Sequence, residues 1–154
     1  MIRPLPRTAC AVLVVALLAA APLSAADPAP ELRDFARAVG LSDVDGFVET
    51  VEALRTEHRL PPWYLSKRQA ERLGWHPGLD LCRITGREEI GGDRFRDRQH
   101  VLPDSGRRWH EADLDERCAR QRGTHRLIWS DDGLIYVTTD HYRSFIPVPA
   151  APSR

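Results

Sequence analysis

Apolar residues recur along this chain first at helical spacing and then at strand spacing. Val44, Phe47, Val48, Val51 and Leu54 fall three and four apart. That stripe predicts a helix running to about His58, capped by Ser42 or Asp43. The stripe is a core face, and a charged His58 near the helix end would suit the helix dipole. Glu31 to Val39 predicts a shorter helix stopped by Gly40. Pro61 and Pro62 break the chain. Ser66, followed three residues later by Gln69, has capping-box spacing, and Gly74 ends that helix. Trp75 to Gly86 reads as loop with one helical turn around Leu79 to Arg83.

From Glu88 onwards the signals change to strands. Ile90 to Asp93, Arg107 to Leu114, Arg126 to Ser130, Leu134 to Thr139 and Ser144 to Val148 read as strands. Asp131-Asp132-Gly133 joins two of them as a hairpin. Arg94 to His100 is a charged loop and Asp115 to Gly123 a polar one. Helices first and antiparallel strands afterwards predict an α+β domain. Its N-terminal helices would pack on one face of a twisted antiparallel sheet of about five strands.

The first 26 residues stand outside this pattern. Arg3 and Arg7 precede a nearly unbroken apolar run from Ala9 to Leu23, and Ser24-Ala25-Ala26 offers small residues to a peptidase. This predicts a secretory signal. The run is shorter than the roughly 18–20 apolar residues of a membrane span. Cys10 lies at the start of the run and not after it, which does not suit a lipoprotein. The expected division is a signal over 1–26, a leader or propeptide over 27–42, a folded domain over 43–149 and a tail over 150–154. The expected destination is outside the cell or in the periplasm, with no membrane attachment after signal removal.

Without Arg3 and Arg7, 20 basic residues face 22 acidic ones. That balance does not suggest a nucleic-acid binder, so any basic site must be local. Cys82 and Cys118 are the two cysteines left after the signal. An even number in an exported domain points to a disulfide, with two separate buried thiols as the alternative. Closing a loop of about 37 residues is worth roughly 3–4 kcal/mol in the chain-entropy picture. The histidines and cysteines show neither His-x₃-His nor Cys-x₂-Cys spacing, which argues against a metal module.

The hairpin supplies a local basic site. With its turn near Asp131 and Asp132, cross-strand partners have numbers summing to about 263–264. Arg126 then faces Val137 or Thr138, and His141 lies across from Arg122 or Gly123. Two arginines beside a histidine make an anion site containing a titrating group. A solvated sheet end has the same pattern, and spacing alone does not separate the two.

Four segments carry a stronger signal. They are Leu65-Ser66-Lys67 with Ala70 and Leu73-Gly74-Trp75; Ile90-Gly91-Gly92-Asp93 with Phe95 and Arg98; Leu102-Pro103 with Ser105-Gly106-Arg107, Trp109 and Glu111-Ala112-Asp113; and Leu134-Ile135-Tyr136 with Thr138-Thr139-Asp140-His141-Tyr142. In this order, over about Val44 to Val148, they resemble the barnase-type ribonucleases of bacteria, a branch of the microbial ribonuclease superfamily.

The resemblance implies a metal-independent endoribonuclease that needs no cofactor and works on RNA as a monomer. Glu111 matches the general base that takes the ribose 2′-OH proton. His141 matches the general acid that protonates the departing 5′-oxygen. The product is a 2′,3′-cyclic phosphate, then a 3′-phosphate. Lys67, Arg122 and the catalytic Arg126 match cations that hold the phosphate and stabilise its growing charge. Tyr142 matches a residue lining the same site, and Asp93 a buried acid that anchors the cations. An ionised glutamate and a protonated histidine coexist in a window between their reference values of about 4.3 and about 6.5, so a bell-shaped pH profile is expected.

The loop Phe95, Arg96, Asp97, Arg98 and Gln99 matches one that binds guanine through backbone N–H groups and a glutamate. Gln99 stands in the glutamate's place and loses a charge-assisted bond, so guanine preference is expected in weakened form. Gln121 replaces an aromatic that would stack on a neighbouring base. The resemblance also implies an acidic, barstar-like inhibitor as a partner. A competing reading keeps the fold without catalysis, leaving a protein that binds RNA or an inhibitor.

Overall fold

The computed structural model describes residues 29–103 and 106–151. The expected signal segment, Ser105 of the third matching segment and the end of the tail lie outside the described residues.

Two helices begin the fold. They are α1 (Ala29–Ala38) and α2 (Val44–Glu57). Asp43 is the cap of α2, its carboxylate accepting the Gly46 N–H, and His58 ends it in a left-handed conformation. Phe47, Val48, Val51 and Leu54 are buried, as the stripe requires. Leu32 and Ala36 of α1 are buried with them, and Phe35 stacks on Phe47 at 5.8 Å. Ala112, Leu127, Ile135 and Val137 close this core from the sheet side. The buried side chains of α1 thus share one core with α2 and the sheet.

The sheet has six strands in sequence order: β1 (Tyr64–Leu65), β2 (Glu89–Phe95), β3 (Trp109–Asp113), β4 (Arg126–Ser130), β5 (Ile135–Thr138) and β6 (Ile146–Pro147). The α+β expectation holds, with one strand more than the five expected. The addition is β1, which runs parallel to β2. Two residues leave no alternation to read, and the adjacent prolines signal only a break. The remaining pairings are antiparallel. In the hairpin Arg126 faces Thr138 and Leu127 faces Val137, within the expected register.

Between β1 and β2 lie α3 (Lys67–Arg72) and α4 (Leu81–Thr85). Ser66 and Gln69 form the expected capping box on α3. Leu65, Ala70, Trp75, Leu81 and Ile90 make a second, smaller core there. A disulfide joins Cys82 on α4 to Cys118 in the polar loop before β4, with Cα atoms 5.0 Å apart. That loop also carries Arg122. Reduction is expected to lower the unfolding free energy by about 3–4 kcal/mol. Urea melts with and without dithiothreitol would measure it, and coincident midpoints would refute it.

The glycine pair in β2 has a steric cause. A Cβ on Gly91 would come within 2.7 Å of the Tyr64 ring and 2.8 Å of the Ala112 methyl. Gly92 has φ +92° and is the extra residue of a bulge between the Gly91–Ala112 and Asp93–Glu111 pairs. The bulge sets Asp93 beside the start of α3.

Glu89 opens β2 in a buried position, where its carboxylate accepts the Glu116 N–H at 2.9 Å. Burial lifts its carboxyl to about 7, against the opposing pull of that N–H, Tyr64 and Arg117. A raised carboxyl favours the protonated form in the fold. Its stabilising contribution is full below the ordinary carboxylate range and is lost as pH rises through 7. Glu89→Gln keeps an acceptor for Glu116. It is expected to stabilise the protein by on the order of 2 kcal/mol at pH 8 and hardly at all at pH 4. Melting temperatures at the two pH values would check this; an equal shift at both would contradict it.

Candidate active site

The site is assembled on the sheet face opposite α1 and α2. Strand alternation puts Glu111 and Asp113 of β3 on this face, with Arg126 of β4 beside them. Glu111 is 9% exposed. One of its oxygens lies 3.3 Å from the Lys67 ammonium, and the other accepts the Tyr142 hydroxyl at 2.7 Å. Lys67 is the first residue of α3, and its backbone N–H donates to Asp93 at 2.8 Å.

Both arginines converge on Asp113, which is 1% exposed. Arg122 grips it through two bonds, Nε at 2.6 Å and Nη2 at 2.5 Å. Arg126 Nε lies 3.1 Å from the same carboxylate and also donates to the Tyr142 hydroxyl at 3.2 Å. Arg126 Nη1 donates to the His125 carbonyl at 2.6 Å. Burial pulls the Arg122 guanidinium down, but Asp113 outweighs it and the net direction is up. Burial and the bond to Glu111 push the Tyr142 phenol up to about 12, so it stays a donor.

His141 and Tyr142 follow β5 with φ +58° and +71°. Asp140 holds this left-handed turn, its carboxylate accepting the Arg143 and Ser144 N–H groups and the Thr138 hydroxyl. The His141 N–H donates to the Thr124 carbonyl at 3.3 Å. The exposed His141 ring lies 4.8 Å from that of Tyr142. The sequence-predicted Lys67, Glu111, Arg122, Arg126, His141 and Tyr142 thus form one connected group, with Tyr142 at its centre.

Other predicted residues take different places. Asp93 is half-buried and holds the backbone of Lys67; the acid that anchors the two arginines is Asp113. Phe95 stacks on Tyr142 at 5.3 Å and leads into the loop of Arg96, Asp97, Arg98 and Gln99. The Asp97 carboxylate accepts the Val101 and Leu102 N–H groups at 3.2 and 2.7 Å, so its side chain shapes the loop. Gln99 is exposed. The signal for Asp113 was its place two residues beyond Glu111, which puts both on one face of a strand.

A ribonuclease family profile matches residues 49–149, about two thirds of the chain. The chain belongs to the ribonuclease family of barnase-type microbial enzymes. The "Ribonuclease" proteins of Bacillus intermedius and Bacillus pumilus are each 40% identical over 107 residues, covering 68% of this chain and 65% of theirs. A third ribonuclease, from Heyndrickxia coagulans, is 45% identical over 89 residues, covering 56% of this chain and 81% of its own. The match thus spans less than two thirds of the two Bacillus ribonucleases. It includes every element from within α2 to β6, and so the whole connected group from Lys67 to Tyr142.

Proposed function

We propose that this protein is an exported endoribonuclease that cleaves single-stranded RNA by attack of a ribose 2′-hydroxyl on the adjacent phosphorus. One observation carries the reading. The Glu111 carboxylate is fixed between the Lys67 ammonium and the Tyr142 hydroxyl, beside two arginines locked onto Asp113. That is a base next to a preorganised phosphate site, and family membership supplies the substrate class.

Glu111 takes the 2′-OH proton as the 2′-oxygen bonds to phosphorus. The bond from phosphorus to the 5′-oxygen breaks, and His141 gives that oxygen a proton. Lys67, Arg122 and Arg126 stabilise the charge on the non-bridging oxygens, which peaks in the transition state. The 2′,3′-cyclic phosphate is then opened by water, with His141 as base and Glu111 as acid, leaving a 3′-phosphate. The nucleophile belongs to the substrate and the cations belong to the protein, so the route uses no metal and no cofactor.

Guanine preference is part of the proposal in reduced form. Gln99 brings no charge, and the Asp97 carboxylate is already bonded within the loop. The protein is proposed to act as a monomer outside the cell or in the periplasm. An acidic inhibitor of the barstar type would fit over the cationic site. The direct test is protein lacking residues 1–26, incubated with RNA in EDTA. Terminal 2′,3′-cyclic phosphates, seen by phosphorus NMR, are expected; intact RNA or 5′-phosphate ends would overturn the reading. Rates on GpN, ApN and UpN dinucleotides would measure base preference.

A further inference from the structure

Charge on this nearly neutral chain is segregated. Residues 29–57 carry seven acidic side chains and three basic ones, whereas residues 58–154 carry 17 basic and 14 acidic. Several arginines in the basic part are engaged. Arg107 pairs with Asp132, Arg108 with Asp131, Arg117 with Asp43 and Glu88, and Arg122 and Arg126 with Asp113.

Arg94, Arg96 and Arg98 differ. They fall within five residues where β2 runs into the base loop, and all three are exposed. Among the described residues, none of their side chains has an ion-pair or hydrogen-bond partner. The loop keeps its shape without them, through Asp97 and through the Arg98 N–H donating to the Arg96 carbonyl. These three side chains add no polar contact to the fold, so their charges create a local positive field on a fixed frame. Arg94 and Arg96 line a cavity of about 340 Å³ together with Phe95 and Trp109. Phe95 in turn stacks on Tyr142, which is bonded to Glu111. The cavity therefore adjoins the cleavage site on the side of the base loop.

We propose that Arg94 and Arg96 form a phosphate-binding subsite for RNA on the 5′ side of the cleaved nucleotide. This rests on the ribonuclease reading above. In that reading the loop holds the base of the nucleotide whose 2′-hydroxyl attacks, and the scissile phosphate lies 3′ of it at Lys67, Arg122 and Arg126. On that reading the strand upstream rounds the β2 edge of the sheet to reach these arginines, since Arg94 alternates with Phe95 and lies on the face away from Glu111. Guanidinium groups bind phosphate oxygens in pairs. Each contact releases counterions, so binding of upstream strand depends on salt with a slope of about 0.7 per phosphate.

The test uses chimeric oligonucleotides with one ribonucleotide, the base being whichever is cut fastest. A minimal dinucleotide is compared with versions extended by four deoxynucleotides on the 5′ or the 3′ side. For the wild type, the 5′ extension is expected to lower KM about tenfold at low salt. In R94Q/R96Q that ratio should fall to within about twofold of unity, and the salt slope for the 5′-extended substrate should drop by about 1.4. The ratio cancels any change in base binding, and thermal melts confirm folding. Cleavage without a 5′ advantage in the wild type, or an advantage that survives R94Q/R96Q, would overturn the subsite alone. Wild-type protein that leaves every chimera intact would overturn the ribonuclease reading, and the subsite with it.

Discussion

Replacing Glu111 by glutamine is expected to lower RNA cleavage by on the order of 10²–10⁴ while leaving stability nearly intact. Glutamine has the same shape, and its amide oxygen still accepts the Tyr142 hydroxyl that now binds the carboxylate at 2.7 Å. It cannot take a proton from a 2′-hydroxyl. The variant therefore separates base chemistry from packing. His141→Ala should cost a similar factor, and its exposed ring makes a stability change beyond about 0.5 kcal/mol unexpected. If base and acid serve one step, the double variant should lose less than the product of the single losses. Values of kcat/KM, read beside melting temperatures, test all three statements. Cleavage within tenfold of wild type in either single variant would remove that residue from the mechanism.

The second large effect is expected at Asp113. Asp113→Ala should cost about 3–5 kcal/mol in stability, because it leaves the Arg126 guanidinium buried without its counter-charge. Arg126 is only 2% exposed, so water cannot take the place of the carboxylate. Activity should fall too, by on the order of 10², since both arginines of the proposed phosphate site lose their common anchor. Asp113→Asn fills the same space and can keep one bond to Arg122. It should recover part of the stability but little of the activity. Melts and kinetics below each variant's transition would show this. An Asp113→Asn variant with wild-type kcat/KM would mean that the arginines need no anchor.

Much of this was legible because hydrophobic period reports burial. The α2 stripe and the alternation in β3 to β5 face real cores, and the hairpin register followed from Asp131-Asp132-Gly133 alone. Short elements were not legible. β1 has two residues and pairs in parallel with a segment 25 positions away, which leaves no local mark. The proposed catalytic roles rest on the resemblance, since a glutamate in a strand looks the same whether or not it is a base. Asp113 was passed over for Asp93, although both lie in the matching segments. What separates them is the Gly92 bulge, which puts Asp93 at the Lys67 backbone and leaves the arginines to Asp113. A backbone irregularity of one residue does not show in composition or period.

The sequential order of the sheet bears on when the connected group of side chains can form. From β2 to β6 each strand pairs antiparallel with its neighbour in the sequence, so this part can assemble hairpin by hairpin, whereas β1 joins β2 through a parallel crossover that holds α3 and α4. The connected side chains do not follow that economy. Lys67 precedes β2, Glu111 lies in the middle of the sheet, and His141 and Tyr142 come after β5. No single hairpin contains them all. A partly folded chain can thus have paired strands before the group from Lys67 to Tyr142 is joined, and on the proposed mechanism cleavage must wait until these pieces come together.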